Sequence, residues 1–275
     1  MKHKPPKSAE NSIHDSRLTT HDPRFLTHDS RLTKQNIKEL THLHKKKYRI
    51  EEKKLLIEGK RLLDQIHRNG ISIKDIFCLE GDRELYEYLV PESFTYCEAW
   101  QLDKLAQTKT SQQVIGLIDA PKQPVIKTDF LLYLDNVSEP GNLGTIFRTA
   151  LGLGVDGIIT SPGCCELFNP KAIRASMGAV FTLPSEEHDY EWLFEQPGKI
   201  MVTSLGNSQP INSLKTIPQP SILVIGSEAH GIDPQIIDRA DFRLKIPMTD
   251  AMESLNAAVA AGIAIFYLTN GHSER

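Results

Sequence analysis

Residues 130–160 read FLLYLDNVSEPGNLGTIFRTALGLGVDGIIT. The apolar run Phe130–Leu134 is followed by a Pro-Gly turn, a helical pattern over Asn142–Leu153, and a second apolar run at Gly157–Thr160. Two short apolar runs joined through a helix indicate a βαβ unit, in which parallel strands are buried on both faces.

The same alternation continues toward the C-terminal end of the sequence. Helices are predicted at Lys171–Met177, Pro234–Arg239 and Ser254–Leu268, and strands at Lys199–Thr203, Ile222–Ile225 and Phe242–Ile246. Residues 128–275 are therefore predicted to form one α/β domain with a mostly parallel sheet. Ligands of such sheets bind beyond the carboxyl ends of the strands.

Three further segments precede this domain. Residues 1–33 carry a seven-residue repeat of the type His-Asp-Ser-Arg with few apolar residues to bury, which predicts a disordered, basic and histidine-rich tail. Residues 34–120 mix helix-like and strand-like patterns and predict a small α/β domain. Residues 121–127 contain two prolines and are interpreted as a linker.

Within residues 34–120, one helical pattern is especially clear. It opens at Leu55–Ile57, continues with Leu62, Leu63 and Ile66 on one face, and ends at Gly70. Strands are predicted at Ile76–Leu79, Phe94–Cys97 and Val114–Ile118.

Charge is distributed unevenly along the chain of 275 residues, whose formal net charge is −3. Residues 1–60 hold 15 Lys and Arg against 8 Asp and Glu, a net of +7, whereas the remaining residues hold 17 against 27, a net of −10. A basic end on an acidic body is typical of an arm that binds nucleic acid, and also of a solubilising tail.

Composition excludes several classes of protein. No apolar run reaches the roughly 18–20 residues of a membrane span, and the first residues lack the apolar core of a secretory signal. The four cysteines show neither metal-ligand spacing nor a disulfide framework, and the adjacent pair Cys164 and Cys165 is interpreted as loop filling. These features predict a cytoplasmic protein without a membrane partner.

The first segment suited to chemistry is LDNVSEPGNLGTIFRTA, residues 134–150. Asn142 stands where the N-cap of the helix is expected, and Arg148 follows six residues later on an inner part of that helix. An Arg held in a cleft requires an anionic or polar partner, such as an RNA phosphate. Taken alone, a surface Arg is the simpler interpretation.

The second segment is IGSEAHGIDP, residues 225–234. Its two glycines, Gly226 and Gly231, allow a ligand to approach the backbone closely. The segment lacks the glycine spacing of a dinucleotide-binding loop and the lysine of a phosphate-binding loop, so it suits a nucleoside-like ligand without a polyphosphate. His230 is interpreted as a surface loop residue.

The third segment is LKIPMTDAMESLNAAVAAG, residues 244–262. A strand ends at Ile246-Pro247, and a loop leads into a helix rich in Ala and Gly. Ser254 and Asn256 are both helix-start residues, but capping needs only Ser254 and leaves Asn256 unexplained. The small side chains permit close packing in a tight core or a dimer interface.

Together the three segments resemble the motifs of the SpoU (TrmH) family of RNA 2′-O-ribose methyltransferases, within the SPOUT superfamily. The resemblance covers about residues 128–270, and residues 45–63 more loosely resemble the small substrate-binding domain of many members. Asp250, Ala229 and Ala257-Ala258 depart from the residues that are usual in the family. The last departure removes a hydroxyl near the cofactor.

The resemblance implies a SPOUT-type α/β domain whose last segment threads a trefoil knot, with a small N-terminal α/β RNA-binding domain. It implies S-adenosyl-L-methionine as the cofactor and a homodimer through the catalytic domain. The residues it implies as cofactor contacts are Gly226, Ile246 and Leu255, with Met248, Thr203, Gly206 and Gly231 in supporting positions.

The resemblance also implies how the reaction is catalysed. Arg148 would be the base or activator of the ribose hydroxyl, although guanidinium holds its proton tightly, so a phosphate-anchoring role is the alternative. Asn142, Glu228, Ser254 and Asn256 would orient Arg148 and the ribose, and no metal is required. Two other functions stay open, a non-catalytic RNA-binding protein on this fold and a related enzyme that methylates a base.

RNA is the expected partner, with ribosomal RNA favoured over transfer RNA because of the accessory domain. The RNA contacts are predicted at Lys45, Lys46, Lys47, Tyr48, Arg49, Lys60 and Arg174. Tyr48 would stack on an unpaired base. The alternative is that Tyr48 packs against Leu55 and Leu56 while the lysines merely solvate a helix face.

Overall fold

The computed structural model describes residues 30–127, 129–204, 206–214, 217–227, 229–249, 251 and 254–270. Most of the predicted tail lies outside these ranges. Its last four residues join the N-terminal domain, because Ser30–Arg31 form strand β1, Leu32 is buried, and Thr33 caps the first helix.

The N-terminal domain is a mixed sheet with four helices. Its elements are β1 (Ser30–Arg31), α1 (Lys34–His42), α2 (Lys46–Glu52), β2 (Lys54–Glu58), α3 (Lys60–Arg68), β3 (Ile73–Cys78), β4 (Ser93–Tyr96), α4 (Ala99–Leu105) and β5 (Val114–Asp119). The strand order is β1-β4-β3-β5-β2. β4 is parallel to β1 and β3, and β5 is antiparallel to β3 and β2.

Leu55–Ile57, predicted to open a helix, form strand β2 instead. The structure separates β2 from α3 at Gly59, whose φ is +98°. That conformation is accessible chiefly to glycine. The Gly59 N–H bonds to the Val114 carbonyl of β5 at 3.0 Å, so pairing with the sheet extends to Gly59 and the helix begins at the next residue.

The C-terminal domain is a parallel sheet flanked by helices. Its elements are β6 (Phe130–Asp135), α5 (Pro140–Gly152), β7 (Gly157–Thr160), α6 (Pro170–Ser176), β8 (Ser185–Glu187), α7 (Tyr190–Glu195), β9 (Lys199–Thr203), β10 (Gln209–Pro210), β11 (Ser221–Gly226), α8 (Pro234–Arg239), β12 (Phe242–Lys245) and α9 (Ala257–Asn270). The strand order is β10-β12-β9-β11-β6-β7-β8, and every pair is parallel. The predicted parallel α/β domain is confirmed. The short elements β8, α7 and β10 were not predicted.

This sheet positions the three segments of interest. The central strands β6, β9, β11 and β12 are parallel, so their carboxyl ends lie at one edge of the sheet. The first segment follows β6, the second follows β11 and the third follows β12. Residues far apart in the chain meet there, such as Asp135 and Asp233, which are 98 residues apart, and Asn142 and Asn256, which are 114 residues apart.

The two domains share one buried apolar cluster. It includes Leu62, Leu63 and Ile66 of α3 together with Ala179–Phe181 of the C-terminal domain. The predicted linker is packed as well, since the Gln123 amide donates to the Val180 carbonyl at 3.3 Å. Within the described ranges, no helix is long and apolar enough to cross a membrane.

Candidate active site

A cavity of about 410 Å³ opens at the carboxyl ends of β9, β11 and β12. The start of α9 and the segment before it close one side, with Ser254 in the wall. All the residues implied as cofactor contacts line this cavity: Thr203, Gly206, Gly226, Gly231, Ile246, Met248 and Leu255.

The second segment forms a narrow backbone loop at the rim of the cavity. Ser227 and Gly231 exchange two backbone hydrogen bonds, of 3.0 and 2.9 Å, which close the loop. A Cβ atom on Gly226 would lie 2.2 Å from the Gly231 carbonyl carbon, so glycine is required there. Glu228, predicted to orient the ribose, lies in this loop but outside the described residues.

The lining of the cavity favours an uncharged ring system over a polyphosphate. Ile225, Ile232, Leu244 and Ile246 supply apolar walls. Among the described residues of the lining, Lys245 is the single Lys or Arg, whereas polyphosphates require several cationic or backbone donors. A nucleoside-like ligand, as expected from the sequence, fits this lining.

Asp135, which is not among the predicted site residues, anchors the second segment to the end of β6. Its side chain is 1% exposed and accepts three hydrogen bonds of 2.7 Å, from the Asn136 amide, the Tyr190 hydroxyl and the Asp233 backbone N–H. Burial is the main cause that raises the pKa of the Tyr190 hydroxyl, and the hydrogen bond to Asp135 raises it further. The hydroxyl therefore keeps its proton. An aspartate directly after a buried strand was the available signal in the sequence.

The cap of helix α5 differs from the prediction. Glu139, not Asn142, is the N-cap, because Pro140 occupies the first helical position and the Glu139 carboxylate accepts from the Asn142 backbone N–H at 2.7 Å. Lys171 of α6 pairs with Glu139 at 2.5 Å, and this bond lowers the pKa of Glu139. The Asn142 side chain is thereby left for contacts outside its own helix.

The cap of α9 also differs from the prediction. The helix begins at Ala257, and the Asn256 side-chain oxygen accepts from the backbone N–H groups of Ala258 and Val259, at 3.0 and 3.3 Å. Ser254, predicted as the capping residue, lies before the helix in the cavity wall. The Asn256 amide nitrogen donates to the Asn142 side-chain oxygen at 3.0 Å. This bond joins the first segment to the third.

Arg148 lies within α5 and on its exposed face, as in the surface interpretation of the sequence rather than the cleft interpretation. Its side chain is exposed, and among the described residues it makes neither an ion pair nor a hydrogen bond. The inner face of α5 is formed instead by Gly144, where a Cβ atom would lie 2.4 Å from the Ala172 carbonyl oxygen of α6. Arg148 is therefore available to bind a group from outside this chain.

The predicted RNA-binding residues differ in their exposure and in their contacts within the chain. Lys45, Lys46 and Lys47 are exposed at the start of α2, and Arg174 is half-buried on α6. The Lys60 ammonium group is hydrogen-bonded to the Tyr88 hydroxyl, and this bond raises the pKa of Lys60. The same ammonium group lies 3.6 Å from the Asp64 carboxylate. These contacts hold Lys60 within its own domain.

Tyr48 and Arg49 differ from the predicted open surface. Tyr48 is half-buried, stacks on His42 with ring centroids 4.8 Å apart, and packs against the cluster that contains Leu56, as in the packing alternative. Arg49 is 5% exposed and paired with Glu166, so the prediction that it contacts RNA is wrong. In the described part of the chain, no group of three His, Cys, Asp or Glu side chains is arranged to hold a metal.

The comparison with protein families gives two matches. The model of the SpoU rRNA Methylase family matches residues 129–266. The model of the MRM3-like substrate binding domain matches residues 34–116. The second match coincides with the N-terminal domain described above.

The chain is 32% identical over 170 residues to the 23S rRNA (guanosine(2553)-2'-O)-methyltransferase RlmP of Bacillus subtilis, with 60% of this chain and 67% of that protein covered. It is 27% identical over 205 residues to the 23S rRNA (uridine(2479)-2'-O)-methyltransferase of Streptomyces viridochromogenes, covering 67% of this chain and 69% of that protein. A solved structure of an AdoMet-bound rRNA methyltransferase from Sinorhizobium meliloti has a TM-score of 0.76 at 25% identity, covering 90% of this chain and 99% of that one. With half of its length matched by the family model, the chain belongs to the SpoU rRNA methylase family.

Proposed function

We propose that this chain transfers a methyl group from S-adenosyl-L-methionine to a ribose 2′-hydroxyl of ribosomal RNA. One observation carries the proposal. The Asn142–Asn256 hydrogen bond joins helix α5, which carries the exposed Arg148, to the segment before α9, which lines the cavity. The proposed cofactor site and the Arg148 guanidinium therefore belong to one connected site. The named relatives, which methylate 23S rRNA at a 2′-oxygen, support the same reaction.

The cavity fits the cofactor. Its volume of about 410 Å³ lies within the range of about 300–1,000 Å³ that is usual for small-molecule sites. Gly226, Ile246 and Leu255 would hold the cofactor largely through their backbone, because the Gly226 loop has no room for a side chain. When bound, S-adenosyl-L-methionine supplies a sulfonium methyl group, an electrophile with a good leaving group.

The residues of the chain then have to bring in and activate the ribose. A 2′-hydroxyl is a very weak acid, so it requires deprotonation or strong polarisation in line with the methyl group. Arg148 supplies an exposed guanidinium, either as the activator or as an anchor for the neighbouring phosphate. Asn142 and Asn256 are hydrogen-bonded to each other, and Ser254 lies in the cavity wall two residues before Asn256. With Glu228, these residues are assigned the orientation of Arg148 and the ribose.

A homodimer through the catalytic domain is part of the proposal. Val259, Phe266 and Tyr267 of α9 are exposed by 51%, 54% and 39%, and Leu151 of α5 by 39%. Helix α5 also carries Arg148, and it packs against α9. Apolar side chains exposed beside a site favour burial against a second copy.

The trefoil knot implied by the resemblance also stays a proposal. The path of the last segment supports it, since α9 follows β12, the second strand from one edge of the sheet, yet returns to contact β11 and α5 at the middle of the sheet. Location in the cytoplasm stays a prediction of the sequence alone.

Three measurements on the full chain test the proposed function. Calorimetry should detect binding of S-adenosyl-L-methionine, and radiolabelled cofactor should transfer its methyl group to ribosomal RNA. Nuclease digestion should then release a 2′-O-methylated nucleoside. Cofactor binding without transfer would favour the non-catalytic RNA-binding function, and a label on the base would favour the base-modifying enzyme.

A further inference from the structure

A buried ion pair crosses the boundary between the two domains. Arg49 of α2 donates to both carboxylate oxygens of Glu166, from Nε at 3.0 Å and from one terminal nitrogen at 2.5 Å. Its other terminal nitrogen donates to the carbonyls of Leu43 and His44, each at 2.8 Å. The side chains of Arg49 and Glu166 are only 5% and 13% exposed, so water does not replace these contacts.

In the N-terminal domain, the Arg49 side of the pair fixes the backbone next to the basic run Lys45–Lys47. Leu43 and His44 form the turn immediately before Lys45–Lys47, and Arg49 lies one turn into the helix that follows. By bonding to the carbonyls of that turn, the Arg49 guanidinium fixes the backbone from which the three exposed lysines project.

In the C-terminal domain, the Glu166 side of the pair belongs to a loop that is hydrogen-bonded to the first of the three segments. Glu166 lies between β7 and α6, next to Cys165, whose backbone N–H donates to the Val137 carbonyl at 3.0 Å. The neighbouring Cys164 thiol donates to the Leu134 carbonyl at 3.1 Å. Val137 and Leu134 belong to the stretch that leads from β6 into α5, the helix of Asn142 and Arg148.

Other contacts already close the domain boundary without the pair. The Asn69 amide donates to the Thr182 hydroxyl at 2.8 Å, and Gly178 lies against Gln65 and Leu62 of α3. These contacts and the shared apolar cluster attach the domains to each other independently of the ion pair. A buried ion pair adds little net stability, because its attraction is offset by desolvation, but it sets one geometry and penalises any other.

We propose that Arg49 and Glu166 are a positioning pair that fixes the angle between the RNA-binding and catalytic domains, so that RNA bound at Lys45–Lys47 presents its ribose to Arg148. This inference rests on the proposed function, since it assigns the pair a role in presenting the RNA substrate. Neither residue touches the reacting atoms.

The test is Glu166→Gln in the full chain, with methyl transfer to ribosomal RNA measured below the unfolding temperature of every variant. We expect kcat/KM to fall by about tenfold or more, because small misplacements of a substrate cost large factors in rate. The Kd for RNA should stay within about twofold, because the lysines that contact phosphate are intact. The Kd for S-adenosyl-L-methionine should not change.

Glu92→Gln is the matched control. It removes the same charge from the partner of Lys74, in an exposed pair of 2.9 Å in the same domain that includes none of the lysines assigned to RNA. It should leave kcat/KM unchanged.

A double variant, Arg49→Met with Glu166→Leu, separates positioning from stability. It leaves no unpaired buried charge, so its melting temperature should lie above that of Glu166→Gln, although the carbonyls of Leu43 and His44 lose the Arg49 donor. Its kcat/KM should stay low, because apolar contacts are not directional. Wild-type kcat/KM in the double variant would overturn the proposal, as would a loss of RNA affinity in Glu166→Gln equal to its loss of kcat/KM. A wild-type protein that transfers no methyl group to RNA would instead refute the proposed function.

Discussion

At the scale of single residues, the exposed Arg148 gives the simplest prediction. We expect Arg148→Ala to lower the single-turnover rate of methyl transfer by about 10²–10⁴-fold, the usual contribution of a positioned acid-base group. Folding and cofactor binding should be unchanged, because Arg148 is exposed and makes no described contact within the chain. Quenched single-turnover assays with labelled cofactor measure the rate of methyl transfer, and calorimetry on the same preparation measures cofactor binding. Near-normal turnover would show that Arg148 is not the activator.

Asp135 gives a second prediction at this scale. In Asp135→Asn an NH₂ group must face at least one of the three donors that now bond to the carboxylate. A buried donor without an acceptor costs about 1–3 kcal/mol. We expect the Gly226–Asp233 loop to loosen and the Kd for S-adenosyl-L-methionine to rise by about tenfold, since 1.4 kcal/mol is a factor of ten.

Tyr190→Phe is the control for this prediction. It removes one donor from Asp135 and keeps the bond from the Asp233 backbone N–H. Its Kd for the cofactor, measured by calorimetry, should stay near the wild-type value. Wild-type affinity in Asp135→Asn would show that the carboxylate does not hold the loop.

At the scale of elements, the crossing of α5 and α6 depends on a missing side chain. In Gly144→Ala the new Cβ atom would lie 2.4 Å from the Ala172 carbonyl and 2.7 Å from the Ala175 side chain. We expect the free energy of unfolding to fall by about 1–3 kcal/mol, as for other overpacked cores. Urea denaturation measures this change.

Gly152→Ala, in the same helix, is the matched control. No atom lies within 4 Å of a Cβ atom built there. Alanine also has the higher helix propensity, so this variant should be unchanged or slightly more stable. If both variants lost the same stability, close helix packing would not be the cause.

Elements also show where local patterns were misleading. Asn142 and Ser254 are good capping residues by type, yet Glu139 and Asn256 are the caps that form. In α5 the first helical position is taken by Pro140, which moves the cap one residue before it. The amide side chains of Asn142 and Asn256 are hydrogen-bonded to each other at the site. Capping alone therefore does not account for asparagine at these two positions.

At the scale of the whole molecule, the prediction concerns the basic run of the N-terminal domain. Replacing Lys45, Lys46 and Lys47 with Ala should weaken RNA binding and reduce the slope of log K against log salt by about 2, since each single-strand phosphate contact contributes about 0.7. The Kd for the cofactor should not change. Fluorescence anisotropy at several salt concentrations measures the slope.

Lys74→Ala is the control, because Lys74 is paired with Glu92 and Asp119 within its own domain and is not a predicted RNA contact. It should leave the salt slope unchanged. An unchanged slope in the triple variant would mean that the catalytic domain alone holds the RNA, around Arg148, Lys171 and Arg174.

The sequence by itself determined the α/β class and most of the strands of the parallel sheet, because apolar periodicity and glycine-containing turns are local. The residues that line the cavity followed from the resemblance of three motifs to a known family, and the parallel strands bring these motifs to one edge of the sheet. The tertiary structure decided which of several equivalent residues faces which neighbour. Arg49 belongs to a uniformly basic run in the sequence, and only the packing of α2 against the loop of Glu166 buries it. Asp135 and Asp233, 98 residues apart, become partners only because β6 and β11 are adjacent in the sheet. Such pairings depend on distances that the fold creates between distant parts of the chain, and no local pattern contains them.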